Sequence, residues 1–284
     1  MDKATFLDAH RSISVRNEYR ERDGIGSYRL PLFSAQSGID HGFSTREGGV
    51  STGCFSSLNL SFTRPEQTEN VMENYRIFCR AMDIPWESMV MDAYEHGTTV
   101  LRVDGADCGK GYLREPLPAC DGLVTNDPSV TLITGHADCM AFYFYDPVKK
   151  AIGLCHAGWR GALHRIGSEV VRLMQKEYGT DPRDVFGGVG PSICPKCFEV
   201  GDDVADAFEQ AFPLCALRGV NARGRATVDL WQVATCQMLE SGLLPEHIEV
   251  MGVCTVEEKR LYSHRGDNGK TGGMAAYLRI MKNE

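Results

Sequence analysis

The sequence has no apolar stretch that approaches the roughly 20 residues a membrane-spanning helix needs. Its first residues are charged throughout and lack the apolar core of a secretory signal. Positive charge is also in deficit, since 30 lysines and arginines stand against 38 aspartates and glutamates, for a net charge of −8. An acidic surface repels phosphate backbones, so we expect a cytoplasmic protein with no nucleic-acid partner and no membrane partner.

The chain also lacks internal repeats, low-complexity tracts and a Pro/Ser-rich linker that would divide it. Its 284 residues are 43% hydrophobic and 24% charged, which is the composition of an ordinary globular protein. We expect residues 1–40 to form a segment that packs on a single domain over residues 41–284. The 11 cysteines are scattered and odd in number, so we expect no internal disulfide, Cys194 and Cys197 included.

Strand and helix signals are mixed without strict βαβ alternation, which predicts one layered α/β domain with a mixed β-sheet. Short apolar runs predict strands at 28–33, 41–45, 100–103, 130–134, 141–145, 151–155, 227–229 and 248–253. Apolar residues at helical spacing predict helices at 66–82, 162–178, 204–212 and 230–241, with a last helix near 275–281.

Three polar stretches, at 95–97, 136–139 and 156–161, lie beside or between predicted strands and carry His96, Cys139 and His156. Two histidines and one thiolate are good zinc ligands that leave the fourth tetrahedral position open. The gaps of 43 and 17 residues are not those of a local metal finger. Spacing alone therefore leaves open whether each residue binds a metal or is a structural histidine or a buried thiol.

Other polar residues near these stretches allow two interpretations each. Arg160 lies in a Gly-rich turn at a helix start and could bind a phosphate or simply pair with a carboxylate. Asp121 and Asp138 are candidates for acid–base groups or for residues that orient a ligand. The C-x-x-C sequence at 194–197 has no second pair, and we expect it to hold two free thiols in a loop.

Taken together, these motifs resemble the bacterial laccase-domain or multicopper polyphenol oxidase proteins, a family now described as purine nucleoside phosphorylases. The resemblance runs from about His41 to the C-terminus, and the combination of HAGWRG, ADC and STREGGVS is highly specific. The matching text is HGFSTREGGVSTGCFSSLNLSF (41–62), ENYR (73–76), HGTTV (96–100), DGLVTNDPSV (121–130), ADC (137–139), HAGWRG (156–161), GPSICPKCFEVG (190–201), VDLW (228–231), CT (254–255) and YSHRGDNGKTGG (262–273).

The resemblance implies a zinc site formed by His96, Cys139 and His156, so that residues 41–284 would form a metal-dependent catalytic domain. It implies a sandwich-like α/β fold shared with certain cysteine hydrolases. The implied activity is phosphorolysis of adenosine, inosine, guanosine and methylthioadenosine to the base and a pentose 1-phosphate, with deamination of adenosine as a second reaction. Purine nucleosides and phosphate would be the partners of a monomer or homodimer, and copper could replace zinc in vitro.

Within this picture we expect Arg46, in the STREGG turn, and Arg160 to contact the phosphate. Cys139 and Asp138 would join Arg160 as catalytic residues, with Asp138 as a possible proton shuttle. Two positions depart from the family pattern, because Tyr94 stands where a glutamine is usual and Gly273 where an arginine is usual. Both departures bear on the choice of nucleoside more than on the metal.

Two other enzyme classes stay open. A copper-dependent phenol oxidase of the multicopper type needs many histidines in H-x-H pairs, whereas this chain has eight histidines and no such pair. A cysteine hydrolase would use Cys139 as nucleophile and His156 as base on amide bonds. A binding module that holds a ligand without turnover would use the same pocket.

Overall fold

The structure is a computed structural model that describes residues 3–215 and 217–281. Its α-helices are α1 (Lys3–Ser12), α2 (Pro31–Ser34), α3 (Thr68–Ala81), α4 (Trp159–Leu163), α5 (Ile166–Tyr178), α6 (Asp202–Ala211) and α7 (Leu230–Glu240). Its strands are β1 (Ser14–Val15), β2 (Glu18–Arg22), β3 (Ile25–Arg29), β4 (Ile39–Ser44), β5 (Met89–Met91), β6 (Val100–Arg102), β7 (Gly122–Thr125), β8 (Thr131–His136), β9 (Met140–Asp146), β10 (Ala151–Ala157), β11 (Phe186–Val189), β12 (Arg218–Val220), β13 (Ala226–Val228), β14 (Ile248–Val250) and β15 (Met274–Ile280).

The strands form two large mixed sheets and one small pair. The first sheet has the order β1-β14-β11-β9-β10-β7-β6, the second has the order β2-β3-β4-β15-β8-β5, and β12 pairs with β13. Both large sheets contain parallel and antiparallel neighbours, as β11 with β14 and β9 with β10 illustrate in the first. The predicted α/β class with a mixed sheet is confirmed, although the strands divide between two sheets where we expected one.

Side-chain alternation along β9 shows how the layers pack. Phe142 and Phe144 leave one face of the strand and join the core beneath α5, α6 and α7. Tyr143 and Tyr145 leave the other face and pack against the second sheet. Helix α3 covers the far side of the second sheet, in a third cluster that includes Tyr277. The layers therefore run helices, sheet, sheet, helix, which is the sandwich that the resemblance implied.

The predicted helix at 275–281 is wrong, because this segment is strand β15 at the centre of the second sheet. Its alanines, leucine and methionine favour a helix in isolation. Tertiary packing overrides that preference, since β15 pairs with β4 on one side and β8 on the other and buries both faces.

Two further boundaries differ from the prediction. The helix predicted at 162–178 is two helices, since Arg165 has a left-handed φ of 66° that separates α4 from α5. The strand predicted at 28–33 ends at Arg29, because Pro31 begins the short helix α2. No helix in the described ranges combines the length and the apolar character that a membrane crossing requires.

The expectation of no internal disulfide is wrong, because Cys215 and Cys236 are bonded to each other. The loop after α6 lies against α7, so two buried thiols that are 21 residues apart in sequence come into contact. Cysteine count and compartment could not foresee this contact. The other nine cysteines are free, and Cys194 and Cys197 are unbonded to each other as expected.

Candidate functional site

Strand register brings the three candidate ligands together. In the antiparallel β9–β10 pair, Met140 lies opposite Ala157, so Cys139, immediately before β9, reaches His156 near the end of β10. His96 approaches from the loop before β6, at the same end of the first sheet. One ligand atom from each of the three residues lies within 4.8 Å of the other two. Residues 43 and 17 positions apart thus form one N/N/S cluster.

Asp121 holds two of the three candidate ligands in place. Its Oδ1 accepts the N–H of His96 at 2.9 Å and lies 3.0 Å from Nδ1 of His156. Its Oδ2 accepts the N–H groups of Glu95 and Gly97 at 3.2 and 2.8 Å. The fully buried carboxylate therefore fixes the loop that carries His96 and turns Nε2 of His156 toward the cluster. This is the arrangement in which a carboxylate orients a metal-binding histidine.

A close backbone approach also shapes the cluster. Gly158 packs against the ring of His96 so tightly that a Cβ at this position would lie 2.6 Å from Cδ2 of His96. Any other residue would push the ring away. The sequence suggested that Gly158 of HAGWRG only makes a turn, whereas the structure shows that it also leaves room for the ring of His96.

The electrostatics favour a charged pair at Cys139 and His156. Burial opposes ionisation of the Cys139 thiol, but the facing His156 and His96 rings outweigh it and lower its pKa to about 6. Burial likewise disfavours the imidazolium, yet the Cys139 thiolate and Asp121 raise the pKa of His156 to about 10. Both pKa shifts favour a thiolate at Cys139 beside an imidazolium at His156 when no metal is bound.

His136 is buried next to the cluster but is not one of the three ligands. Its Nδ1 donates to the carbonyl oxygen of Cys139 at 3.1 Å, and its Nε2 accepts from the hydroxyl of Thr134 at 2.8 Å. Burial, with the nearby His156, holds its pKa well below the ordinary value, in keeping with this neutral ring. Both nitrogens are occupied, so His136 supports the backbone of Cys139.

Tyr94 covers the cluster from the side of the His96 loop. Its ring centroid lies 5.5 Å from that of His96 and 4.7 Å from that of His156. Its hydroxyl forms a 2.9 Å hydrogen bond with Thr63 Oγ1. An aromatic ring thus packs against both histidines at the position where the resemblance led us to expect a glutamine.

Asp138 lies at the cluster but its carboxylate is already engaged. Oδ1 accepts the hydroxyls of Thr255 and Ser263 at 2.6 and 2.7 Å, and Oδ2 accepts the N–H of Arg265 at 2.6 Å. Its own backbone has a left-handed φ of 86°. The side chain therefore ties the loop that carries Arg265 to the residue next to Cys139.

A cavity of about 470 Å³ opens onto the cluster. It falls in the range of small-molecule sites. One part of its lining is apolar, formed by Trp159, Ile193, Phe198 and Leu230, and another part is polar and basic, formed by Ser61, Thr63, Arg64, His264 and Arg265. The three candidate ligands, Tyr94 and Gly273 also line it.

Arg46 and Arg160, the two arginines that we expected to contact the phosphate, are not among the residues that line this cavity. Arg160 is exposed and stacks 4.3 Å from the ring centroid of Trp159, and Arg46 lies over Tyr262 at 4.3 Å with its Nη1 4.0 Å from Asp267. Arg160 is the second residue of helix α4, which is only five residues long.

Sequence reasoning missed Arg64 and Arg265, the two arginines that do line the cavity. Nε of Arg64 is buried and has no hydrogen-bond partner among the described residues. The sequence does contain a signal for Arg265, because this residue lies in the YSHRGDNGKTGG segment that resembles the family. No motif in the sequence around Arg64 indicates a role for that residue. Asp121 was considered as an orienting residue, but its three backbone contacts were not foreseeable.

The three-ligand cluster fits a zinc ion by its own chemistry. Its donors are one polarised thiolate and two imidazoles, which is a donor set that zinc prefers, and Asp121 supplies the expected support. Three protein ligands facing a cavity also match a catalytic site, where a fourth position is left for water or substrate.

Comparison with known proteins gives consistent results. The chain is 38% identical over 242 residues to purine nucleoside phosphorylase YlmD of Bacillus subtilis, which covers 84% of this chain and 87% of that one. It is 31% identical over 255 residues to a purine nucleoside phosphorylase of Bacteroides thetaiotaomicron, covering 88% and 94%. The crystal structure of YlmD from Geobacillus stearothermophilus superposes with a TM-score of 0.87 at 32% identity, covering 94% of this chain and all of that one.

The family comparison covers almost the same span as the motifs. Residues 40–281 match the model of the multi-copper polyphenol oxidoreductase laccase family. This match takes in strands β5 to β15, most of β4 and every residue of the cluster and cavity described above, whereas β1, β2 and β3 precede it. The chain therefore belongs to the multi-copper polyphenol oxidoreductase laccase family.

Proposed function

We propose that this chain is a zinc-dependent purine nucleoside phosphorylase that also deaminates adenosine. The observation that carries the proposal is the meeting of the His96–Cys139–His156 cluster with two arginines in one cavity. The names of its relatives support it, since they are purine nucleoside phosphorylases.

The apolar lining suits a purine base. Trp159 and Phe198 offer aromatic surface for stacking, and Ile193 and Leu230 complete an apolar wall. His96, Cys139 and His156 would hold the zinc ion, which when bound supplies a Lewis acid at this end of the cavity.

We assign the phosphate to Arg64 and Arg265. The unpartnered, buried Nε of Arg64 is a donor that needs an acceptor, and a phosphate oxygen is an acceptor that arginine binds well. Arg265 is held near the cavity because its Nη1 donates to the carbonyl oxygens of Cys197 and Glu199 at 3.3 and 3.0 Å. Two guanidinium groups would neutralise most of the charge of the bound anion.

The reaction balances with these groups. A phosphate oxygen bonds to C1′ of the ribose while the bond from C1′ to the purine nitrogen breaks, and the base leaves with the electron pair. Hydrogen phosphate supplies the proton that the departing base takes up, so the products are the free purine and pentose 1-phosphate. The arginines hold the anion for attack, and the apolar wall limits water, which would otherwise hydrolyse the oxocarbenium-like centre.

For Asp138 we propose positioning in place of the proton transfer considered above. Its two oxygens already accept three hydrogen bonds, so it is poorly placed to exchange protons with substrate. By accepting from the backbone of Arg265 it instead sets where that guanidinium meets the cavity.

A nucleoside panel tests the proposal. The purified zinc-loaded protein is incubated with adenosine, inosine, guanosine and methylthioadenosine, each with and without phosphate, and bases, sugar phosphates and deaminated products are separated. We expect base and pentose 1-phosphate only when phosphate is present, and inosine from adenosine in either case. Absence of any sugar phosphate across the panel would overturn the proposal.

A second candidate, a cysteine hydrolase, is favoured by one observation. In metal-free protein, the Cys139 thiolate faces the His156 imidazolium, and Asp121 accepts a hydrogen bond from Nδ1 of His156, which is the arrangement of an activated nucleophile. The two functions respond oppositely to metal. Removal of zinc should abolish nucleoside turnover, whereas it should expose the thiolate and raise any cleavage of amide substrates.

A further inference from the structure

A second group of metal-ligating side chains lies outside the cavity. Cys194, Cys197, Cys254 and Glu257 each offer one ligand atom, and these four atoms all lie within 4.8 Å of one another. From the sequence, the C-x-x-C pair was expected to be two free thiols in a loop. The structure adds a third thiol and a carboxylate from a segment about 60 residues later.

The backbone explains why the four meet. Strands β11 and β14 are parallel neighbours in the first sheet, so the chain leaves both strands at the same end of the sheet. A parallel bridge between Ser192 and Cys254 continues the pairing beyond the strands. The loop after each strand therefore delivers its ligands to the same place.

The two loops form matching turns. In the first, the N–H of Phe198 donates to the carbonyl oxygen of Cys194 at 3.0 Å, and in the second the N–H of Glu258 donates to that of Cys254 at 2.9 Å. Each turn thus presents ligands at its first and fourth residues, with the C-x-x-C and C-x-x-E spacing. Short-spaced pairs of this kind on two facing turns are the usual frame of a structural zinc site.

The surroundings favour thiolates only when a cation is present. The N–H of Cys194 points at Sγ of Cys254 at 3.4 Å, as amides do toward metal-bound sulfur. Three thiols packed together in this way repel one another as anions, and a divalent cation between them removes the repulsion.

We propose that Cys194, Cys197, Cys254 and Glu257 bind a second, structural zinc ion. Three thiolates and one carboxylate complete a tetrahedron, so this site has no open position for a substrate. The donor set is soft enough to exclude magnesium and calcium, which prefer oxygen ligands.

The position of the site gives it a task, and this part rests on the proposed function. Ile193 and Phe198, on either side of the C-x-x-C turn, line the cavity, as does Arg265, which donates to the carbonyl oxygen of Cys197. A zinc ion that joins the two turns would fix the wall that carries these three residues.

The test is a metal count on four proteins purified in the same way: the wild type and the variants Cys139→Ala, Cys197→Ser and Cys54→Ser. Cys54 is an exposed cysteine outside both groups and serves as the matched control. We expect two zinc ions per chain in the wild type and in Cys54→Ser, and one in each of the other two variants, in line with the two groups of ligands.

Cobalt substitution gives a second readout that does not depend on the folding of Cys197→Ser. Cys139→Ala retains only the four-ligand group, so its cobalt form should show the strong sulfur-to-metal absorption of a tetrahedral site with three thiolates. The side chain of Glu257 is exposed, so its replacement should leave the fold intact. The double variant Cys139→Ala/Glu257→Gln should bind cobalt more weakly than the single variant Cys139→Ala.

The proposal is overturned if the wild type holds a single zinc ion that disappears in Cys139→Ala. It is equally overturned if Cys194 and Cys197 are recovered as a disulfide from anaerobically purified protein. Neither result touches the phosphorylase proposal, because the counts are independent of turnover. Conversely, two zinc ions in a protein without nucleoside activity would leave this site standing.

Discussion

Replacing the two cavity arginines offers the sharpest separation of the reactions proposed for this site. Phosphorolysis needs the phosphate anion as a reactant, whereas deamination exchanges the purine amino group with water. Arg64 and Arg265 line the cavity, and the buried Nε of Arg64 has no partner among the described residues. Arg64→Ala should therefore lower phosphorolysis and change deamination little.

The size of the loss follows from the contact removed. A hydrogen bond to a charged group contributes about 1.5–3 kcal/mol. Since about 1.4 kcal/mol corresponds to a factor of ten in rate, kcat/KM for phosphorolysis should fall roughly 10- to 100-fold in Arg64→Ala. Arg64→Lys retains the charge but loses the forked donors, so its loss should be smaller.

The assay follows both reactions on adenosine in the same tube, with phosphate varied at fixed nucleoside. The loss in Arg64→Ala should appear mainly as a raised KM for phosphate, while the release of inosine without phosphate stays near the wild-type rate. Arg160→Ala is the matched control, because Arg160 is exposed, stacks on Trp159 and is not among the residues that line the cavity.

Two results would refute the reasoning. Equal losses of phosphorolysis and deamination in Arg64→Ala, with native circular dichroism, would mean that Arg64 supports the architecture of the cavity. A larger loss of phosphorolysis in Arg160→Ala than in Arg64→Ala would return the phosphate to the helix start that the sequence suggested.

Three further predictions concern the metal cluster. Asp121→Asn should weaken zinc binding about 10- to 100-fold, because His156 loses its orienting carboxylate, and a chelator competition titration that finds no change would contradict this. Gly158→Ala should also weaken zinc binding, since its Cβ would meet the ring of His96, and the same titration on a variant with unchanged thermal stability checks it. In metal-free protein, the rate at which iodoacetamide alkylates Cys139 should fall as the pH drops through about 6, the pKa that burial and the opposing charge of His156 set for this thiol. Bound zinc should protect the thiol from alkylation. A midpoint near the ordinary thiol pKa of about 8.5 would rule out the thiolate–imidazolium pair.

The fold was readable from the sequence wherever one side of an element faces water or a single core. Helix α3 was predicted within two residues at each end, because its apolar stripe repeats at helical spacing. Strand β15 was not, because its alanines, leucine and methionine favour a helix and a strand buried on both faces shows no alternation that would oppose this preference; β9 and β10 are equally buried, but their aromatic and branched residues favour strands. The break at Arg165 was equally hidden, since a left-handed residue that is not glycine leaves no mark in the sequence.

The candidate site was readable in part. His96, Cys139 and His156 were singled out by residue type and by resemblance, and the structure brings their ligand atoms together. The arginines that line the cavity were not singled out, because the Gly-rich turns indicated Arg46 and Arg160, whereas Arg64 lies in a loop whose course only the folded chain defines. The group of three cysteines and Glu257 could not be recognised from the sequence, because Cys194 and Cys197 are about 60 residues from Cys254 and Glu257 and meet them only in the folded chain.

The donor chemistry of the site also bears on the oxidase named in the family description. A trinuclear copper cluster needs several paired histidines, but the cluster at the cavity has two histidines and one cysteine, and the second group has none. His136, whose ring centroid lies 5.5 Å from that of His156, already uses both ring nitrogens in hydrogen bonds. Copper binds most nitrogen and sulfur sites more tightly than zinc does, so exposure to excess copper would load the same three ligands. Any phenol oxidation by such a preparation should therefore follow the copper content of one mononuclear site and disappear when zinc is restored, whereas phosphorolysis should follow zinc.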